Sequence, residues 1–391
     1  MDFSNNVYRL SCPVQNYDWG ARKKDGAAPF IPSLLGIDAG EDEPYAELWM
    51  GAHPKSPAKV VVDGGEEVPL NEAIQNSTAE ILGPSLTSNG YEDLPFLMKI
   101  LSCERALSIQ AHPDKDLAAR LHEKDPEHYP DKNHKPELAI ALTSFSALCQ
   151  FRPAEEIYRD LKRFDSLSTF FSQAVENYSE DCQKERWIKA AYKKIFDASQ
   201  EEISGVLGVL GTELKRTKEP SSADQCFQFL SESYPGDRGV LSAYFLNYLE
   251  LEPGQAFAMA ANEPHAYLQG TILECMANSD NVVRAGLTGK YVDSETLLSM
   301  LSYQGTVPRV QTGETVEEGE RRYRFPVPDF QVEEWCHNFG DKKRYSSGGA
   351  VSLLVVLSGQ AELRTPEGKN LASTGGVYLW PGALDEIEVF Y

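Results

Sequence analysis

Four side chains with metal-binding chemistry sit in patterned surroundings. In LSIQAHPDK (107–115), strand alternation puts Leu107, Ile109 and Ala111 on one face and Ser108, Gln110 and His112 on the other. Glu137 opens the apolar run of NHKPELAIALT, and His265 lies in NEPHAYLQG, after a strand ending near Ala261. A two-apart pair on one strand, a carboxylate from a neighbouring strand and a distant His at a turn can converge inside a β-barrel. Such N and O donors suit Zn²⁺ with a position left for water or substrate. The same pattern also fits Gln110 and His112 facing solvent, with Glu137 an ordinary strand-edge charge. His122, His128 and His134 fall in the polar, Pro-broken HEKDPEHYPDKNHKPE and read as loop histidines.

A second constellation follows His265. TILECMANSDNVVRAG places Glu274 on a strand among Ile272, Leu273 and Met276, turns at 278–281, and continues to Arg284. A buried carboxylate is costly without a partner or a role. Glu274 therefore reads as a general base or as the partner of Arg284. Lys99 interrupts PFLMKILS and either snorkels outward or points into a cavity to meet an anion. Lys135, Arg284 and Lys290 would complete a basic pocket.

The elements that must position these residues change character along the chain. Residues 1–150 carry short apolar runs broken by Gly, Pro and Asp, such as AELWMGAH, AKVVVDGG and PFLMKILS, which predict antiparallel strands. From Pro153 the spacing becomes helical. In SQEEISGVLGVLGTELKR, Ile203, Val206, Leu207, Leu210 and Leu214 form one stripe, and Ser199 with Glu202 predicts a capping box. Strand chemistry returns after Tyr248, and a last β block begins near Phe330. The order predicts a β domain interrupted by a helical insertion, then a second β domain. That last block has one histidine, His337, and reads as a packing domain without a metal site. The chain ends at EIEVFY in mid-pattern for a sheet, so a further strand beyond it is expected.

Composition limits the partners. The chain has 391 residues, an apolar fraction of 41% and a formal charge of −22, which suits a globular protein and disfavours nucleic acid or an anionic membrane surface. An anionic substrate must then be met by local cations against the global field. No leader-like h-region opens MDFSNNVYRL, and no stretch is long enough to span a bilayer. Seven Cys form no CxxC and sit mostly in apolar company, as reduced thiols of a cytoplasmic protein would.

Longer blocks carry a resemblance. YPDKNHKPE (129–137) and HAYLQGTILECMANSDNVVRAGLTGK (265–290) are similar to the two signature segments of type I mannose-6-phosphate isomerases. QNYDWG, AELWMGAHPKS, LPFLMKIL and LSIQAHPDK resemble that family's other blocks, while the helical insertion and the last hundred residues resemble it less. The resemblance implies a mainly β fold with an α insertion: two cupin-like jelly-roll domains plus an inserted helical domain. It divides the chain into a catalytic cupin domain (1–152 and 249–325), the helical insertion (153–248) and a second cupin-like domain (326–391). It implies one Zn²⁺ per chain held by Gln110, His112, Glu137 and His265, a catalytic Arg284, and Lys135 and Glu274 lining the substrate pocket. Trp19, Glu47, Lys99 and Asp280 match other pocket positions. One departure is Gly289, where the family usually has Pro; it loosens the backbone beside Lys290.

The implied reaction interconverts mannose 6-phosphate and fructose 6-phosphate through a cis-enediol, feeding GDP-mannose supply. It needs an electrophile for the oxygens, a base for the carbon-bound proton and an anion site for the phosphate. Zinc and Arg284 suit the first, Glu274 or Lys135 the second, and Lys99, Ser108 and Lys290 the third. The partner is a small sugar phosphate, and the chain is expected to act as a monomer or weak homodimer. Two rivals use the same residues. His112, Glu137 and His265 also compose the 2-His-1-carboxylate set of a cupin Fe(II) oxygenase, although Gln110 as a fourth ligand leaves less room for O₂. A non-catalytic sugar-phosphate-binding cupin would bind without turnover.

Overall fold

The computed structural model describes residues 2–391. At its centre the strand His265–Ala277 pairs antiparallel with four others: Phe145–Phe151, Ile109–Ala111, Phe96–Cys103 and Glu137–Ala141. One strand can serve four partners only by changing neighbours along its length. It does so at a register shift between Tyr267 and Gln269, followed by Gly270 at φ 111°. A Cβ on Gly270 would lie 2.4 Å from the Ser144 carbonyl oxygen, so the crossing needs glycine. Leu246–Leu251 and Val14–Gln15 close the two ends of this ten-stranded system.

The alternation in LSIQAH is resolved by what packs on each side. Ile109 and Ala111 are fully buried in one core with Ile157, Leu161, Ile188 and Leu210 of the helical insertion. Gln110 therefore faces the other way, into the barrel. The helices Ala154–Arg163, Lys184–Asp197, Gln200–Leu214 and Ser222–Ser233 follow the expected spacing. Ser199 and Glu202 form the expected capping box, and Ile203, Val206, Leu210 and Leu214 are buried. The insertion is thus the outer wall that holds the Ile109–Ala111 strand in place. Each fully buried aliphatic side chain there contributes about 1.5–3 kcal/mol.

Two features differ from a strand-by-strand reading of the sequence. The first 150 residues also contain helices, including Lys115–Lys124, whose start is capped by Asp114 accepting from the Leu117 N–H at 2.8 Å. His122 is therefore helical rather than in a loop. The last β block also does not pair within itself alone. Tyr8–Ser11 joins Val377–Trp380 on one side and Lys59–Val61 on the other, in a five-stranded sheet with Ser352–Val355. Leu10 and Val60 from the start of the chain share a core with Val377 and Leu379 from its end. Such ladders join residues hundreds apart, which local patterning does not show. Among the described residues, no helix is long and apolar enough to cross a membrane.

Candidate metal centre and active site

The strand pairing brings the candidate ligands together. His265 is the direct cross-strand partner of Gln110, and Glu137 is the partner of Met276 on the same long strand. One oxygen of Glu137 lies 3.2 Å from His112 Nε2 and the other 3.1 Å from His265 Nε2. Gln110 Nε2 is 3.4 Å from His265 Nε2. The ligating atoms of His112, Glu137 and His265 lie within 4.8 Å of one another, and all three residues are buried.

The donor set itself asks for a cation. His112 Nδ1 is 2.7 Å from the Asn281 carbonyl oxygen, and His265 Nδ1 is 3.1 Å from that of Glu263. A carbonyl accepts only, so these contacts assign the proton of each ring to Nδ1 and leave a lone pair on Nε2. Burial pulls the pKa of His112 down to about 4, so the ring is neutral near pH 7. Glu137 stays ionised: burial opposes its charge, but the Lys135 ammonium at 3.0 Å counters burial, and the pKa lies well below the usual value. Two lone pairs thus face two carboxylate oxygens, and His112 Nε2 is buried without a hydrogen-bond partner. A divalent ion among these atoms would turn repulsion into coordination, with backbone carbonyls fixing the tautomers behind it. Rotating the Gln110 amide by half a turn would offer its oxygen as a further ligand.

Comparison with known proteins agrees with this geometry. The model for the phosphomannose isomerase type I catalytic domain matches residues 7–154. The mannose-6-phosphate isomerase of Bos taurus is 40% identical over 99% of this chain and 96% of its own length. A phosphomannose isomerase from Salmonella typhimurium, solved as an arginine-to-alanine mutant, superposes with a TM-score of 0.87 at 31% identity, covering 98% of this chain and 96% of that one. A zinc-bound mannose 6-phosphate isomerase gives 0.85 at 31% identity, with the same coverage. The chain belongs to the type I phosphomannose isomerase family.

Around the family's signature segments lies a second layer of charge. Lys135 Nζ is 3.0 Å from Glu137 Oε1. Lys99 points inward, wedged between Glu47 at 3.7 Å and Glu274 at 3.6 Å, with its ammonium 4.9 Å from the Trp49 ring centroid. Burial works against its charge, but Glu47 and Glu274 more than offset it, and its pKa is raised. Glu274 is raised by burial first and by the charge of Glu137 second, against the pull of Lys99. It also accepts from the Tyr267 hydroxyl at 2.7 Å. Arg284 is not its partner. Arg284 is the direct cross-strand partner of Gln110; its side chain is half-buried, and burial lowers its pKa.

The outer candidates divide. Trp19 stacks on Tyr17 at 5.7 Å, and Asp280 is held by Lys55 at 2.8 Å and the buried His53 at 3.3 Å. Ser108 is half-buried and directly precedes the strand that carries Gln110. Lys290 is exposed, and its ammonium makes no ion pair among the described residues; a Cβ on neighbouring Gly289 would meet nothing within 4 Å. The sequence pattern named the four candidate ligands that the fold brings together, but it did not single out His53, Trp49 or Tyr267, which contact the candidate residues Asp280, Glu47 and Glu274. Alternation from His265 signals Tyr267, whereas His53 has no local signal because its partner Asp280 is remote in sequence.

Proposed function

We propose that this chain interconverts mannose 6-phosphate and fructose 6-phosphate through a cis-enediol, supplying mannose 6-phosphate for activation to GDP-mannose. The observation that carries the reading is the convergence of Gln110, His112, Glu137 and His265 in a chain of this family. A zinc ion on these four residues supplies a Lewis acid for the sugar oxygens.

The remaining chemistry falls to the chain's own groups. Arg284 has no carboxylate in ion-pair range among the described residues, so its full charge is available to oxygens that become negative in the enediol-like transition state. Glu274 moves the proton between C2 and C1, because a raised carboxyl pKa brings it closer to the working pH of a shuttle. Lys135, bound to Glu137, adds positive charge at the metal's edge. Lys99 orients Glu274; between two carboxylates it is a poor phosphate ligand. Ser108 and the unpaired Lys290 are better placed electrostatically for the phosphate, with Trp19, Glu47 and Asp280 lining the sugar. Remote phosphate binding then orients C1 and C2 for reaction.

A coupled assay of mannose 6-phosphate conversion, before and after chelation and with metal quantified in the same sample, tests the reading. Activity lost on chelation and restored by stoichiometric zinc is expected. Sugar-phosphate binding without turnover would replace the isomerase with a binding cupin, and oxygen consumption with bound iron would replace it with an oxygenase.

A further inference from the structure

We propose that Asp131 is a positioning residue: it clamps the 278–281 turn so that the Asn281 carbonyl fixes the tautomer and aim of His112. The proposal rests on the metal-site reading above. Asp131 touches none of the four candidate ligands. Its Oδ1 accepts from the Ser279 hydroxyl at 2.8 Å, the Asn133 N–H at 2.9 Å and Asn281 Nδ2 at 3.1 Å. Its Oδ2 accepts from the Asp280 N–H at 2.8 Å, and its backbone oxygen from Asn281 Nδ2 at 2.8 Å. Ser279 and Asn281 are both buried.

The consequence runs along two chains of contact. Asn281 cannot turn while its side-chain amide and the N–H groups around it are held, and its carbonyl receives His112 Nδ1 at 2.7 Å. The segment carrying Asp131 continues through Lys135 to Glu137, which faces His112 and His265. One carboxylate therefore ties the approach to one ligand to the turn that orients another. A neutral amide in its place keeps one acceptor oxygen but sets an NH2 against the Asp280 N–H, or, turned over, against the three donors now on Oδ1, and the remaining hydrogen bonds lose their charge assistance. Partners behind metal-binding histidines typically change metal affinity by about 10–100-fold when altered.

Chelator-competition titration of the apo protein with zinc, together with the visible absorption of the cobalt(II)-loaded protein, tests this. Asp131→Asn should weaken zinc binding on the order of 10-fold and shift the cobalt band. Ser279→Ala, which removes one donor and carries the test if Asp131→Asn does not fold, should act in the same direction by less. Asp224→Asn serves as a control for mere destabilisation, because that buried carboxylate accepts from Ser221 N and the Tyr244 hydroxyl in the helical insertion. It should lower Tm yet leave zinc affinity and the cobalt band of the folded protein unchanged. Wild-type zinc affinity and cobalt spectrum in folded Asp131→Asn would overturn the clamp, as would equal shifts in the Asp224 control. A wild-type protein that takes up no zinc would overturn the metal reading and the clamp with it.

Discussion

Lys99 and Glu274 are direct partners across two neighbouring antiparallel strands, with Nζ 3.6 Å from Oε2 and both side chains buried. Glu47 approaches the same ammonium at 3.7 Å, so one cation serves two carboxylates. Two acidic side chains thus share one ammonium in the interior, and Tyr267 donates a further hydrogen bond to Glu274. The same arrangement withdraws Lys99 from anion binding and sets the electrostatics of the proposed proton shuttle.

Removing that ammonium should be expensive. Lys99→Met leaves Glu47 and Glu274 buried without their counter-charge, at a cost of about 3–5 kcal/mol at neutral pH. Without the cation, the folded-state pKa of Glu274 rises further above its unfolded value. Such a group contributes stability below the unfolded pKa and loses it as pH rises through the folded pKa. The deficit against the unsubstituted protein should therefore shrink as pH falls. Urea unfolding of both proteins across that range checks both the size and the sign.

Arg284, half-buried, has no carboxylate in ion-pair range among the described residues, which makes its loss a test of charge stabilisation rather than of folding. Arg284→Ala should lower kcat by about 10²–10³ while bound zinc per chain stays unchanged. Arg284→Lys should recover only part of the loss, because an ammonium lacks the planar fork of the guanidinium. Steady-state kinetics with metal analysis on the same preparations separates this from loss of the ion. Full activity in Arg284→Ala would assign charge stabilisation to the metal alone.

With Glu274 as the proposed proton shuttle, Tyr267 should tune the acid limb of the pH profile. Glu274 must be ionised to accept a proton from carbon, so activity is present above its raised pKa and falls as pH drops through it. The Tyr267 hydroxyl donates to the ionised form and favours it. Tyr267→Phe should move the acid limb of kcat/KM to higher pH, and Glu274→Gln should remove most of the turnover at every pH. An acid limb unmoved by Tyr267→Phe would take the shuttle role away from Glu274.

How much of this was legible in the sequence depends on the range of the interaction. Gln110 and His112 share a strand face, and alternation placed them opposite Ile109 and Ala111; the helical insertion confirms that division by burying the apolar pair. The capping box at Ser199 and Glu202 was equally local. Lys99 was ambiguous because its direction is decided by Glu47 and Glu274, which reach it only through strand register. Pairing Glu274 with Arg284 was a reasonable expectation for neighbours in sequence, but their strands face different partners. The ladder between Tyr8–Ser11 and Val377–Trp380 had no local signal at all.

Gly270 decides on which face Glu274 emerges. His265 and Tyr267 alternate onto the barrel interior, and unbroken alternation would send residue 274 to the opposite face. The register shift between Tyr267 and Gln269 breaks that parity, so Glu274 meets the Tyr267 hydroxyl at 2.7 Å. Gly270→Ala adds a Cβ at φ 111° that would sit 2.4 Å from the Ser144 carbonyl oxygen. The backbone strain alone costs about 1–3 kcal/mol, and relief requires the crossing to shift. Lower stability in urea together with a fall in kcat larger than the change in KM is expected, because the shift moves the shuttle more than the phosphate contacts. Reduced stability with unchanged kcat would mean that Glu274 keeps its place without the bulge.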